Sequence, residues 1–325
     1  MQLLDESRAY LDVAGIDPVI TGIVTRGHGS AFDARGLSRD LLSRPPLGDR
    51  AAGDTAAFID TAFSQLRSAS FDARALVETT TLDIESGRPA IDHVRAGFAG
   101  GAHVITANKG PVAFAYRALA DEAAATRVSF LFEGAVMDGI PIFNLVRETM
   151  PGVTIRGFRG VVNTTTNYLL AAMERGERFD EALARMQAAG VAEADPSLDV
   201  DGWDAAAKTA ALANVWLNAS TTPRQIARDG INIGTGEWAR AALARGRRLK
   251  LVASASLDQQ GRVALVELPA YDPLAILEEH ANAIEIDTWP LGRVVITQRD
   301  GGLEKTAYAL LTDLVAMTHH ARARA

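Results

Sequence analysis

Residues 103–136 read HVITANKGPVAFAYRALADEAAATRVSFLFEGAV, and this stretch decides the fold. Residues 103–107 are a short apolar run rich in strand formers, residues 112–125 are alanine-rich and favour a helix, and residues 129–136 are a second apolar run. A strand, a helix of that length and another strand imply a crossover connection, hence parallel pairing. The alternation continues upstream. Residues 75–81 (ALVETTT) read as a strand, Gly87 and Pro89 open a helix to about Gly97, and residues 18–25 (PVITGIVT) are a further β-branched run behind a helical segment at 1–14. Residues 18–136 therefore read as a doubly wound α/β domain with a parallel sheet.

After Pro141 the pattern changes. Residues 142–149 read as a helix, 153–162 alternate like a strand, and helices are expected at 166–175, 180–189 and 202–217. Strands at 250–257, 263–269, 283–288 and 292–298 are separated mostly by short polar turns, which makes them antiparallel. A last helix at 306–317 follows Gly301-Gly302 and is expected to return to the first domain. Two domains result: 1–137 joined by 300–325, and an α+β domain at 138–299. The stretch from Pro45-Pro46 to Thr55 reads as a connection.

The chain has 325 residues, 48% hydrophobic and 22% charged, with a formal net charge of -7. That charge disfavours nucleic acid and anionic membranes, which need clustered Lys and Arg, and leaves a small molecule as the expected partner. No cysteine is present, so a disulfide framework and thiolate chemistry are excluded, which suits a cytoplasmic enzyme. The opening MQLLDES lacks a basic segment before an apolar core, and no run approaches the ~20 apolar residues of a membrane span.

The chemistry concentrates in residues 189–208, AGVAEADPSLDVDGWDAAAK, where five carboxylates precede one lysine. Asp195-Pro196 and Asp201-Gly202 are turn dipeptides, so Asp195 and Asp201 are expected to shape the loop or cap a helix. Asp204 and Lys208 stand one helical turn apart, where the carboxylate can hold the ammonium and tune its pKa. The alternative is a solvated surface pair worth ~0.3–0.5 kcal/mol. The neighbouring loop favours the first reading. A substrate with an α-amino group needs carboxylates, and its own carboxylate and reacting oxygen need cations, which Glu193, Asp199, Asp204 and Lys208 together supply.

At these residues the chain resembles the homoserine dehydrogenase family. Its most specific pattern is met by Gly190, Asp195-Pro196, Asp199, Gly202, Asp204 and Lys208. A second match is HVITANKGP at 103–111, where Asn108 and Lys109 lie at the carboxyl end of a strand, the place where open parallel sheets meet their ligands. Thr79 and Thr80, ending the strand before, border the cofactor by the same geometry, unless they are ordinary strand formers. A third is FEGAVMDGIPIFNLVRETMPG at 132–152, with Met137 and Asp138 where the family has glycines. A fourth, GVVNTTTNYLL at 160–170, contains Thr165, which matches a family threonine near the substrate. Thr164 or Thr165 is expected to cap the following helix. Gly301-Gly302 resembles a glycine loop that returns to the nicotinamide, in the partial form QRDGG.

The resemblance implies a Rossmann-like fold and an NAD- or NADP-dependent interconversion of L-homoserine and L-aspartate 4-semialdehyde. Lys208 is then the acid/base, held by Asp204, with Lys109 as a second cation over the reacting oxygen. Glu193, Asp199, Asp204 and Thr165 bind substrate, and Arg26, Thr79, Thr80, Asn108, Lys109, Gly190, Glu193 and Gly302 border the cofactor. It further implies a sodium or similar ion on the Glu133 side chain and the carbonyls of Val136, Asp138 and Ile140, where the other reading of Glu133 is a buried group satisfied by backbone donors. A homodimer through the second domain and absence of threonine feedback through a regulatory domain are also expected. Arg26 could pair with a 2′-phosphate, but no acidic residue selects NAD. The G-x-G-x-x-G turn that cradles a pyrophosphate is not found before Pro18, and Gly27-His28-Gly29 comes where an adenosine ribose would lie. The expectation is therefore a sheet without its first, central strand, left with a gap or closed-up neighbours, and a native start roughly 15–25 residues upstream. The competing readings are a non-catalytic homologue acting as a binding protein and an oxidoreductase of another amino-acid semialdehyde.

Overall fold

The structure is a computed structural model that describes residues 1–43, 55–190 and 192–324. The connection expected at 45–54 lies outside the described residues. Strands β1 (Gly22–Thr25) and β2 (Gly29–Phe32) form an antiparallel hairpin. Strands β3 (Ala75–Glu78), β4 (His103–Thr106) and β5 (Phe130–Leu131) form a parallel sheet in that order. The crossovers are helices Ala90–Ala99 and Lys109–Ala125, as the alternation predicts.

β4 is buried at every residue because both sheet faces are covered. Val94, Phe98, Val112 and Leu119 pack on one side with Val104, while Met317 of the C-terminal helix joins Ile105 and Leu131 on the other. That helix runs from Leu303 to Arg324, longer than expected, and does return to the first region. The segment expected as a helix at 1–14 is two short helices, Gln2–Glu6 and Arg8–Val13, set against the same C-terminal helix through Leu11 and Leu311.

Three expectations are corrected. The run at 18–25 is not part of the parallel sheet. Only Gly22–Thr25 is strand, half-buried, and it pairs with the nearby β2, which pattern reading did not anticipate. A hairpin closes a loop of a few residues, whereas joining β3 would bring together segments some fifty residues apart. β3 is accordingly an edge strand, and among the described residues nothing pairs with its outer side. Second, the strand expected over 129–136 ends at Leu131, and Glu133–Ala135 form a single 3-10 turn. There the backbone passes so close to β4's exit that a β-carbon on Gly134 would sit 3.1 Å from the Ala107 side chain. Third, Asn163, not Thr164 or Thr165, caps the helix Thr164–Glu174, its side chain accepting from the Thr166 N–H at 2.9 Å.

The second region is built on a six-stranded sheet of β6 (Thr154–Val161), β7 (Ala227–Arg228), β8 (Arg247–Ser256), β9 (Gln259–Pro269), β10 (Asn282–Trp289) and β11 (Gly292–Gln298). Its order is β11-β10-β6-β8-β9-β7, antiparallel throughout except for the short β7–β9 pair. Leu169, Ala206, Ala210 and Leu212 from its helices cover one face against Phe158, Leu251 and Ile284. The other face is covered in part by Leu274, Ala275 and Leu277. A helix at Thr235–Ala244 had no counterpart in the sequence reading.

The two regions share one hydrophobic core, which runs from Ile91 and Val112 to Ile284 and Ile286. Helices Lys109–Ala125 and Trp203–Trp216 pack directly. Asn214 fastens them: its amide donates to the Val112 and Ala113 carbonyls, both at 3.2 Å, and accepts from the Thr221 N–H at 2.8 Å. Those carbonyls precede Ala115, whose non-helical backbone (φ -141°) interrupts the helix, so Asn214 supplies donors where the regular ladder is broken. Among the described residues no helix is long and apolar enough to cross a membrane.

Candidate active site

The site forms where these two helices begin. Gly202 has φ +77°, and a β-carbon there would lie 2.5 Å from the Asp229 carbonyl oxygen, so both the turn and the close approach require glycine. The Arg228 guanidinium stacks on the Trp203 ring, 3.3 Å from its centroid, and donates to the Asp201 carbonyl at 3.1 Å. Asp195 shapes the loop as expected, accepting from the Ser197 N–H at 3.0 Å. These contacts fix the first turn of the helix that carries Asp204 and Lys208.

Asp204 is the centre of the cluster. Its carboxylate lies 3.0 Å from the Lys208 ammonium and 3.2 Å from that of Lys109, the first residue of helix Lys109–Ala125. Lys208 also donates to the Val162 carbonyl at 2.7 Å, at the end of β6. Asn163 completes the group. Its amide nitrogen donates to Asp199 at 2.7 Å and Asp204 at 2.9 Å while its oxygen caps the next helix. Side-chain exposures of 22% for Lys109, 15% for Asp204 and 13% for Lys208 leave each ammonium withdrawn from bulk water yet reachable by a small molecule. Burial alone would raise the Asp204 pKa, but Lys208, Lys109 and Asn163 hold it well below the usual carboxylate range. Burial alone would lower the Lys208 pKa, but Asp204, Asp138 and Asp199 outweigh it and the ammonium titrates above the ordinary lysine range.

The remaining sequence-derived residues divide. Asp199 joins the cluster through Asn163, and Thr165 is buried in the first turn of the helix that Asn163 caps. Glu193 is exposed and makes no ion pair among the described residues; its backbone carbonyl accepts from Gln187 at 3.0 Å. Gly190 follows helix Phe179–Ala188 with φ +70° and starts the loop. Thr79 and Thr80 are exposed at the carboxyl end of β3. Asn108 is buried and caps helix Lys109–Ala125, its amide donating to the Thr80 carbonyl at 2.8 Å. Arg26 is exposed in the β1–β2 turn. The Gly302 N–H donates to the Asp138 carboxylate at 3.1 Å, which joins the glycine pair to the 136–140 turn.

Glu133 is almost fully buried, and its carboxylate accepts from the Phe143 and Asn144 N–H groups, at 2.9 and 2.5 Å, at the start of helix Ile142–Thr149. Its own N–H donates to Asp313 at 2.8 Å. Burial pushes Glu133 up to about 8 and Asp313 up to about 6. Among the described residues no group of three or more His, Cys, Asp or Glu could hold a metal ion.

Asn163 was not singled out in the sequence because the helix was expected to start at 166, whereas it starts at Thr164 and leaves Asn163 in the cap position. Its second function, binding the Asp199 and Asp204 carboxylates over thirty residues away, left no local trace.

The homoserine dehydrogenase family model matches residues 141–315. An NAD(+)-dependent homoserine dehydrogenase of Pseudomonas canavaninivorans is 32% identical over 94% of this chain and 86% of its own length. A crystal structure from Archaeoglobus fulgidus, provisionally named a homoserine dehydrogenase, superposes with a TM-score of 0.82 at 27% identity, covering 97% of this chain and 93% of that one. A hyperthermophilic archaeal homoserine dehydrogenase mutant in complex with NADPH matches with a TM-score of 0.64 at 31% identity, over 75% of this chain and 71% of that one. With its Rossmann-like parallel sheet, its mixed second sheet and the extent of these matches, the chain belongs to the homoserine dehydrogenase family of nicotinamide-dependent oxidoreductases.

Proposed function

We propose that this chain interconverts L-homoserine and L-aspartate 4-semialdehyde, with Lys208 moving the proton at the reacting oxygen. The observation that carries the reading is one carboxylate, Asp204, clamping two partly accessible lysines from different regions of the fold. A nicotinamide bound at this edge would supply the hydride acceptor for oxidation and the hydride donor for reduction. Lys109, beside the exposed Thr79 and Thr80 at the sheet's carboxyl edge, fits the nicotinamide end, and Asn108 holds that edge together. Gly302 and Gly190 are assigned to the cofactor as well, and Arg26, exposed in the β1–β2 turn, to a 2′-phosphate if the cofactor is NADP.

Lys208, held protonated by its acidic neighbours, is an acid in aldehyde reduction: it donates to the oxygen as negative charge develops, while Lys109 stabilises that charge. Asp204 fixes both ammonium groups, and Asp199, Asp204, Thr165 and Glu193 receive the polar groups of the amino acid. Glu193 would need to turn inward from its exposed position. Oxidation needs the neutral amine, so kcat/KM for homoserine should climb with pH through pH 9, up to about tenfold per unit, because the raised pKa leaves little neutral Lys208 at pH 7. Assays with homoserine, aspartate semialdehyde and longer homologues, with NAD and NADP, test both parts. Absence of turnover with the first two, or an oxidation rate flat from pH 7 to 10, would count against the reading.

A monovalent cation is proposed at Glu133 with the carbonyls of Val136, Asp138 and Ile140. The donor chemistry fits: among the described residues the Glu133 carboxyl accepts two hydrogen bonds, further lone pairs are open to a hard cation, and the cation's charge would offset the burial that raises its pKa. Sodium chloride should then raise the thermal midpoint above that in choline chloride at equal ionic strength, and Glu133→Gln should abolish the difference. Equal midpoints in the two salts for the unaltered protein would remove the ion.

We also propose the domain division at 1–137 with 300–325 and 138–299, and a cytosolic location, to be checked by limited proteolysis and cell fractionation. A homodimer through the second region is proposed because β11 is a sheet edge with Trp289, Leu291 and Val295 exposed beside it. Sedimentation should give twice the 34.6 kDa chain mass; a monomer at micromolar concentration would exclude it.

A further inference from the structure

Behind Lys109 lies a buried carboxylate that the chemistry above does not use. Glu78, the last residue of β3, is 3% exposed. Its carboxylate accepts from the Thr80 N–H at 2.9 Å, from the Thr80 hydroxyl, and from the Thr106 hydroxyl at 2.9 Å on the neighbouring strand. The Nδ1 atom of buried His93 stands 3.6 Å away. Thr106 passes the connection on, because its hydroxyl oxygen accepts from the Asn108 N–H at 3.0 Å. Asn108 closes the ring, donating to the Thr80 carbonyl at 2.8 Å and accepting from the Gly110 N–H at 2.8 Å. The Ala107 N–H adds a strand-to-strand bond to the Glu78 carbonyl at 3.1 Å.

The bonds among Thr106, Asn108 and Gly110 fix the backbone on both sides of Lys109, and those of Thr80 fix the adjoining exit of β3. A salt bridge alone would leave that long side chain free to choose among rotamers, and an ammonium displaced by 1 Å loses most of its value against a developing charge. A buried ionised group costs free energy unless fully hydrogen-bonded, and a valine or leucine in its place would give a stable apolar strand end. The fold retains the carboxylate: His93 faces it from helix Ala90–Ala99, and its hydrogen-bond donors Thr80 and Thr106 stand at the exits of β3 and β4.

We infer that Glu78 is a positioning residue for the reaction: through Thr80, Thr106 and Asn108 it sets the exits of β3 and β4 and so aims Lys109 at the reacting oxygen. The inference rests on the proposed role of Lys109. The carboxylate touches neither substrate nor cofactor, and its effect passes through the backbone at 106–110.

A double-mutant cycle tests it. Glu78→Gln keeps size and one acceptor but not the full donor set, and should lower kcat roughly 10- to 100-fold in the otherwise unaltered enzyme. In a Lys109→Met background the same change should cost less than about threefold, because the group it aims is gone. Should Glu78→Gln fail to fold, Thr106→Val breaks the relay while leaving the carboxylate, and should show the same lack of additivity. Equal losses in both backgrounds, or a Glu78→Gln enzyme with unaltered kcat, would overturn the inference. A Lys109→Met enzyme with unaltered turnover would instead overturn the role of Lys109 itself, and the two failures are therefore told apart.

Discussion

Replacing Lys208 by alanine should lower turnover roughly 100- to 10,000-fold, the range that a positioned general acid or base contributes. The expected dissociation constant for the nicotinamide cofactor, read by calorimetry, changes less than about twofold, since Lys208 is held by Asp204 and the Val162 carbonyl on the second region rather than at the parallel sheet. The fold should persist, because Lys109 still neutralises Asp204 once Lys208 is gone. Lys208→Arg sharpens the test. It keeps a cation but a guanidinium does not exchange protons near neutral pH, so it should be as impaired as alanine. Turnover within about threefold of the unaltered enzyme in either variant would mean that the proton is carried by another group.

Asp204→Asn should be more damaging, because it acts on stability as well as rate. Two ammonium groups now 3.0 and 3.2 Å from one carboxylate would face each other with only Asp138 and Asp199 left as counter-charges to Lys208. Breaking a buried pair in this way costs roughly 3–5 kcal/mol, which lowers the thermal midpoint by roughly 5–10 °C. The pH dependence has a definite sign. The folded pKa of Asp204 is depressed, so its stabilisation is complete above the unfolded value of about 4 and is lost only as pH falls towards the lower folded pKa. The gap between the two proteins should therefore be constant from pH 5 to 8 and narrow only in strong acid. A variant as stable as the parent at pH 7 would show that the lysines find other partners, and that Asp204 does not organise the site.

Asn163 gains its importance from the same geometry. Its single amide group caps a helix and holds Asp199 and Asp204 together, so the acidic segment is tied to the strand exit at Val162. The chemistry thus sits at the point where three elements end. Each can be shifted only by disturbing the shared core behind it, in which Asn214 ties the Lys109 helix to the Lys208 helix.

The sequence by itself determined the elements whose cause is local. The strand–helix–strand unit follows from apolar runs around an alanine-rich helix, although the second strand stops at Leu131 and not at 136. The antiparallel strands after residue 250 follow from alternation and short turns, and the Asp204–Lys208 pair follows from the four-residue spacing on a helix. The tertiary structure alone decided which partners those elements took. Lys109 meets Asp204 across 95 residues only because two helices pack, and no periodicity records that contact. β1 turned to a hairpin partner and β3 became an edge because strand pairing depends on what lies alongside, whereas pattern reports only that a segment is extended. Glu133 was legible as a buried polar residue accepting from backbone donors, which Phe143 and Asn144 supply, but its neighbour Asp313, 180 residues on, came from the return of the C-terminal helix. A sequence carries the short-range periods of its own backbone; the distances between charges belong to the packing of the whole chain.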